Sequence, residues 1–177
     1  YDVKGGDTIQ VLKTSEELKK LGVQASIFRA SEKIPYREFD LLHFFNIIRP
    51  ADHLRHIHKA GRPFVVSTIY LDYSLFDKFG RPAYQQYLFS FLGRWRSEYV
   101  KNLFRFLSGQ DKLVSASYLL GHRRAMIKIL KNASLLLPNS ESEFRRLEAD
   151  TGTVCPYHVV PNGIDTKIFG KLPDNVK

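Results

Sequence analysis

The sequence predicts an α/β domain: a doubly wound, mostly parallel, Rossmann-like sheet that carries an aromatic and basic helical insertion. Three observations predict it. Short apolar runs recur at Val23–Phe28, Asp40–Phe45, Pro63–Thr68 and Ala133–Leu137. They are too short for independent helices and suit strands buried on both faces. Segments with apolar residues at three- and four-residue spacing lie between them, and Gly22, Gly61 and Gly152 stand at their ends, where helices stop. Strand, helix and strand in alternation build βαβ units with right-handed crossovers.

Taken in order, Lys4-Gly5-Gly6-Asp7-Thr8 precedes Ile9, Leu12, Leu18 and Leu21, which predict a first helix closed by Gly22. Two glycines at a helix start let backbone amides approach an anion, and the helix dipole favours negative charge there. No G-x-G-x-x-G is present, so a dinucleotide fingerprint is not supported. Val23–Phe28 reads as a strand and Ser31–Tyr36 as a loop. Asp40–Phe45 is the next strand; His43 within it reads as a hydrogen-bonded core residue, and Asn46 at its carboxyl end as a cleft residue. Pro50–Lys59 predicts a short helix whose His53, His56 and His58 are expected at the surface rather than on a metal.

Pro63–Thr68 predicts a strongly buried strand. Beyond it, Tyr70 could donate to a sugar or phosphate, and Asp72 could accept from a hydroxyl; a core tyrosine with a loop aspartate is the competing account. From Tyr70 to Phe106 there are twelve aromatic residues, and Tyr84, Leu88, Phe91, Trp95, Tyr99, Leu103 and Phe106 form one helical stripe. A second helix is expected at about Ser115–Lys131. Ala133–Leu137 is then a strand stopped by Pro138. Ser140 and Glu143 have capping-box spacing, with the hydroxyl accepting from the N3 amide and the carboxylate reaching back. Phe144 and Leu147 give the following helix an apolar side, and Tyr157–Val160 reads as a final short strand before Pro161-Asn162-Gly163.

The 177 residues suffice for one α/β domain, and 44% hydrophobic content is ordinary for a globular chain. The single cysteine, Cys155, excludes an internal disulfide and reads as structural. No run approaches the roughly 18 apolar residues that span a bilayer. A chain that begins at Tyr1 rather than Met reads as an excised piece. The net charge of +9 is concentrated: ten bases and two acids fall between Lys78 and Leu130. Arg94, Lys101, Arg105, Arg123 and Arg124 lie in that region, and a basic-aromatic helix fits an anionic membrane surface.

The pattern of apolar strand, Pro138-Asn139-Ser140, Glu143, helix and Val160-Pro161-Asn162-Gly163-Ile164-Asp165 with Phe169 resembles the retaining, family-four-like glycosyltransferases of the two-domain GT-B type. Gly5-Gly6 matches that family's glycine loop, and Asp40-Leu41-Leu42-His43 its common strand. Tyr70 stands where the family commonly has a histidine, a departure from the pattern. The resemblance implies that residues 1–160 form the acceptor-side Rossmann-like half, with an insertion at about 73–131. Residues 161–177 would then be the hinge and linker to a donor-binding half. It implies a nucleotide-diphosphate-sugar donor and a glycan or lipid-linked acceptor, transfer with retention, no metal and no cofactor, at the cytoplasmic face of a membrane. Gly5, Gly6, Asp7, Asn46, Asn139, Ser140, Asn162 and Gly163 are the expected donor-phosphate and acceptor contacts, and Tyr70 and Asp72 the expected catalytic pair. The fragment alone is expected to be inactive. Composition also allows a basic nucleic-acid-binding module or a non-catalytic α/β interaction domain.

Overall fold

The structure is a computed structural model that describes residues 5–70 and 121–164. Asp72, Arg94, Lys101 and Arg105, the aromatic stripe, and Asp165 with Phe169 in the hinge and linker lie outside the described residues.

Helix α1 (Gly6–Lys20) is followed by a short 3-10 turn at Tyr36–Glu38, β1 (Leu42–Phe45), α2 (Pro50–Ala60) and β2 (Phe64–Ser67). After the undescribed stretch come α3 (His122–Asn132), β3 (Leu135–Leu137) and α4 (Glu141–Thr151). The three strands pair in parallel in the order β1-β2-β3, with Leu42 beside Phe64 and Val65 beside Leu135. The chain is therefore an α/β protein with a Rossmann-like parallel sheet.

Helix ends follow from the residues placed there. α1 ends in a Schellman turn: Val23 donates to the Leu18 carbonyl and Gly22 to Lys19, both at 3.0 Å, with Gly22 at φ +86°. α2 starts on Pro50, whose missing N–H is no loss in a first turn, and stops at Gly61 in the left-handed region. α4 starts on Ser140 and stops at Gly152, also left-handed.

Successive crossovers in one direction along a parallel sheet put their helices on one face. α2 packs on α3 and α3 on α4, as helices sharing a face do. That layer holds the core: Phe64, Val66 and Leu136 from the strands, Leu54 from α2, Met126, Ile129 and Leu130 from α3, and Phe144 and Leu147 from α4. Each fully buried aliphatic or aromatic side chain contributes about 1.5–3 kcal/mol. The alternate strand positions His43, Phe45, Val65, Leu135 and Leu137 are only half-buried.

Two predicted strands differ. Val23–Phe28 forms none; these residues hydrogen-bond to no other strand among the described residues, and Val23 and Ile27 stay 48% and 46% exposed. Among the described residues no neighbouring strand lies beside this segment to satisfy its backbone, and apolar content alone does not make a strand. Tyr157–Val160 does run parallel to β3, but only the Leu136–Tyr157 pair forms a bridge. Leu136 donates to Pro156, His158 donates to Leu136, and Val160 donates to Pro138. The missing rung would need an N–H on Pro138, which proline lacks.

Two of the three α2 histidines, His53 and His56, are placed differently from the surface expectation, which His58 meets. His53 and His56 are 7% and 4% exposed. The His56 Nε2–H donates to the Ala30 carbonyl at 2.9 Å, so its Nδ1 accepts from the Tyr36 hydroxyl at 2.8 Å. That pair pins the loop before β1 onto α2. The His53 Nε2–H donates to the Phe45 carbonyl, and burial pushes its pKa down to about 4. Their inward turn follows from α2's position: its apolar stripe faces the core, and two backbone carbonyls lie within reach of the rings.

Candidate functional site

The carboxyl edge of the sheet gathers most of the candidate residues. In parallel α/β sheets this edge is where ligands bind, because helix N-termini and strand ends converge there. Gly5 caps α1 with no side-chain bond, and Gly6 is its first residue. The Asp7 carboxylate folds back: Oδ1 accepts from the Thr8 N–H at 2.8 Å, and Oδ2 accepts from Asn46 Nδ2 at 3.3 Å. A Cβ on Gly5 would lie 2.9 Å from Asp7 Oδ1, so the missing side chain makes room for this carboxylate. The dipole end expected to meet an external anion is thus met first by Asp7.

Asn46 follows β1 directly. It adopts a left-handed backbone, φ +67°, which asparagine tolerates better than most residues. Its Oδ1 accepts from the Ile48 N–H at 3.2 Å, and its own N–H donates to the Ser67 carbonyl. The next strand end is stranger. Ile69 sits at φ +44°, an outlier for a β-branched residue.

Glu143 explains how that turn is held. Its buried carboxylate accepts from Thr68 Oγ1 and, at 2.7 Å, from the Tyr70 N–H, the two residues flanking Ile69. Its second oxygen accepts from the Asn139 N–H at 2.8 Å. The capping box is half as expected: Ser140 Oγ accepts from the Glu143 N–H at 3.2 Å, but the carboxylate reaches Asn139 and the β2 turn rather than the Ser140 amide. The spacing gave the cap; the extra partners come from β2, 73 or more residues away in the chain.

Asn139 closes the circuit, since its Oδ1 accepts from Gln10 Nε2 on α1 at 3.0 Å. Asn46 and Ile47 donate to Ser67 and Thr68, Thr68 binds Glu143, Glu143 binds Asn139, Asn139 binds Gln10, and α1 returns through Asp7 to Asn46. A ring of hydrogen bonds therefore encircles this edge. Gln10, Thr68 and Glu143 belong to it although the motifs did not single them out as site residues. The capping-box spacing could have flagged Glu143; nothing local could have flagged Thr68.

Asn162 and Gly163 leave from the same end. Val160, two residues earlier, donates to the Pro138 carbonyl at 2.9 Å, next to Asn139, and both Asn162 and Gly163 are exposed.

Two expected site residues lie elsewhere. Tyr70 is a core residue, 4% exposed, and its hydroxyl donates to Asp150 Oδ2 at 2.7 Å. Its ring lies along α4, from Glu143 to a residue two turns further on. It occupies the core-tyrosine position and not the crevice. Arg123 donates from Nε to the Asp150 carbonyl and from its terminal nitrogen to the Thr151 carbonyl. It closes the last turn of α4, where a cation also suits the dipole. Arg124, with Lys128 and Lys131, is exposed on α3.

His43 donates to or accepts from Ser67 Oγ at 2.9 Å, stacks on Phe45, and is pushed by burial to a pKa of about 4. Burial raises the Cys155 thiol, which disfavours the reactive thiolate. Among the described residues, no group of His, Cys, Asp and Glu could hold a metal ion, and no helix is long and apolar enough to cross a membrane. Comparison with family models, with curated proteins and with solved structures returned no match.

Proposed function

We propose that the chain is the acceptor-side half of a GT-B retaining glycosyltransferase, which moves a sugar from a nucleotide-diphosphate donor to a glycan or lipid-linked hydroxyl. The observation that carries this reading is convergence. The diglycine-led α1, the Pro138-Asn139-Ser140 loop and the Val160-Pro161-Asn162-Gly163 exit all reach one edge of a parallel sheet. The motifs with the family resemblance are far apart in sequence, and a crevice between two halves requires them side by side. In this reading the sheet is doubly wound in the complete fold.

The chemistry assigned to this half is reception of the acceptor. The Asp7 carboxylate can accept from a hydroxyl, and Asn46 and Asn139 supply further polar groups beside it. The amides of Gly5 and Gly6 would face charge developing on the leaving diphosphate, where preorganised donors lower the barrier. The donor cations are assigned to a second half. The full-length protein should release nucleoside diphosphate from one nucleotide sugar only when its acceptor is present, whereas residues 1–177 alone should give no turnover. Sugar transfer by the isolated chain would overturn the division of labour.

A peripheral membrane contact is a second part of the proposal. α3 contains no acid, and Arg124, Lys128 and Lys131 recur at i, i+4 and i+7 on its exposed side. Each is expected to add about 1 kcal/mol near anionic lipid. Replacing all three by glutamate should abolish co-sedimentation with phosphatidylserine vesicles at low salt. Equal sedimentation of wild type and variant would remove the membrane from the reading.

A further inference from the structure

We propose that Glu143 is the positioning residue of the carboxyl edge: it holds the strained 68–70 turn and, through Asn139 and Gln10, fixes the first turns of α1. The inference rests on the reading of that edge as the substrate crevice only for its functional consequence; the lock itself can be tested without a substrate.

Three features carry it. Glu143 is 7% exposed, yet no cation faces it among the described contacts. Its carboxylate is satisfied by donors alone, which is how a buried carboxylate avoids a large desolvation cost. Those donors come from two separate strand ends, so one side chain sets the spacing between the turn after β2 and the loop after β3. Finally, the two donors from the first turn flank Ile69, whose left-handed backbone is costly for a β-branched side chain. Strain of this kind persists only where neighbours over-determine it. Asn139 is the lever: its N–H is held by Glu143 while its side chain holds Gln10.

Glutamine is the informative substitution because the two carboxylate oxygens have different partners. In Glu143→Gln, the amide carbonyl can still accept from Thr68 and Tyr70. The amide NH2 then faces the Asn139 N–H, donor against donor. Asn139 should come loose while the β2 turn stays.

The test is site-resolved amide hydrogen exchange on the 177-residue chain. Glu143→Gln is expected to speed exchange on the order of tenfold at Asn139 and in the first turns of α1, near Gln10, the factor of a lost charge-assisted hydrogen bond. Exchange in α2 and α3 should change by less than about twofold. Gln10→Leu, which leaves Glu143 untouched, should free α1 alike without affecting Asn139 or Tyr70. Ile69→Gly should restore part of the stability lost in Glu143→Ala, because glycine needs no clamp at this φ. An unchanged α1 in Glu143→Gln would reduce Glu143 to a local cap and overturn the proposal. A uniform rise across all helices would also overturn it. If the exchange pattern is as expected but Gln10→Leu leaves turnover of the full-length protein intact, the lock stands and the crevice reading fails.

Discussion

Two helix N-termini meet at the same sheet edge, and they are finished in opposite ways. α4 begins on Ser140 with a side-chain cap: Ser140 Oγ takes the Glu143 N–H, and the Glu143 carboxylate, itself buried, takes the Tyr70 and Asn139 N–H groups and the Thr68 hydroxyl from outside the helix. α1 begins on Gly5 with no side-chain cap bond, and among the described residues the Asp7 carboxylate, itself held by Asn46, takes the Thr8 N–H. The first terminus is capped by a side chain and tied to the turns after β2 and β3. The second has, among the described residues, the carboxylate of a short and exposed side chain as its side-chain acceptor. Two motifs of equal brevity thus support different roles, and the difference lies in what the rest of the fold brings to each.

The largest effect should come from removing the buried carboxylate at the first terminus. Glu143→Ala leaves the Thr68 hydroxyl and the Tyr70 and Asn139 N–H groups without their acceptor, and each buried orphan costs about 1–3 kcal/mol. Urea unfolding should show a loss of at least about 3 kcal/mol. A loss below about 1 kcal/mol would mean that water replaces the carboxylate and that the turns after β2 and β3 do not depend on it.

Acid should separate the two termini next. His53 is neutral in the fold with a pKa of about 4, below the ordinary value of 6.5. As pH falls below 6.5 the unfolded chain takes the proton first. Stability is therefore complete above about pH 6.5 and declines as pH falls towards 4, by about 2 kcal/mol at pH 5 from this histidine. Protection of the α4 first turn, which is tied to the core, should fall with it. The α1 first turn, whose exchange is expected by local opening against the Gln10–Asn139 bond rather than by global unfolding, should exchange at a nearly unchanged intrinsic-corrected rate. Parallel loss at both termini would erase the distinction drawn between them.

The smallest effects sharpen the comparison. Ser140→Ala should cost about 1 kcal/mol, the usual worth of an N-cap hydroxyl. Gly5→Ala should cost less than about 0.5 kcal/mol, since its backbone is ordinary and the only crowding is against the movable Asp7 carboxylate. Its signature should be a shifted Asp7 and faster exchange of the Thr8 amide. A Gly5→Ala chain less stable than Ser140→Ala would mean that the diglycine is a structural necessity.

Much of this molecule was legible in short stretches. Periodicity and punctuation located all four described helices and the three strands, because Pro50, Ser140, Gly22, Gly61 and Gly152 act on backbone within a turn or two of themselves. The same locality explains the failures. Val23–Phe28 has the composition of a strand, but a strand needs a neighbour, and none lies beside it among the described residues. Pro138 was read correctly as a stop for its own strand, yet its missing N–H also cut the ladder of a segment about 20 residues on. His53 and His56 looked solvated until α2 was laid against the sheet.

The sequence by itself determined the alternation of strand and helix and the residues that stop and start the helices. Those depend on interactions within a few residues. Only the tertiary structure decided that Tyr70 turns into the core, that Arg123 closes α4, and that Glu143 joins two strand ends. Each depends on a partner at least 27 residues away. Hydrogen bonds are satisfied by whatever folding brings within about 3 Å, and no local pattern records that distance.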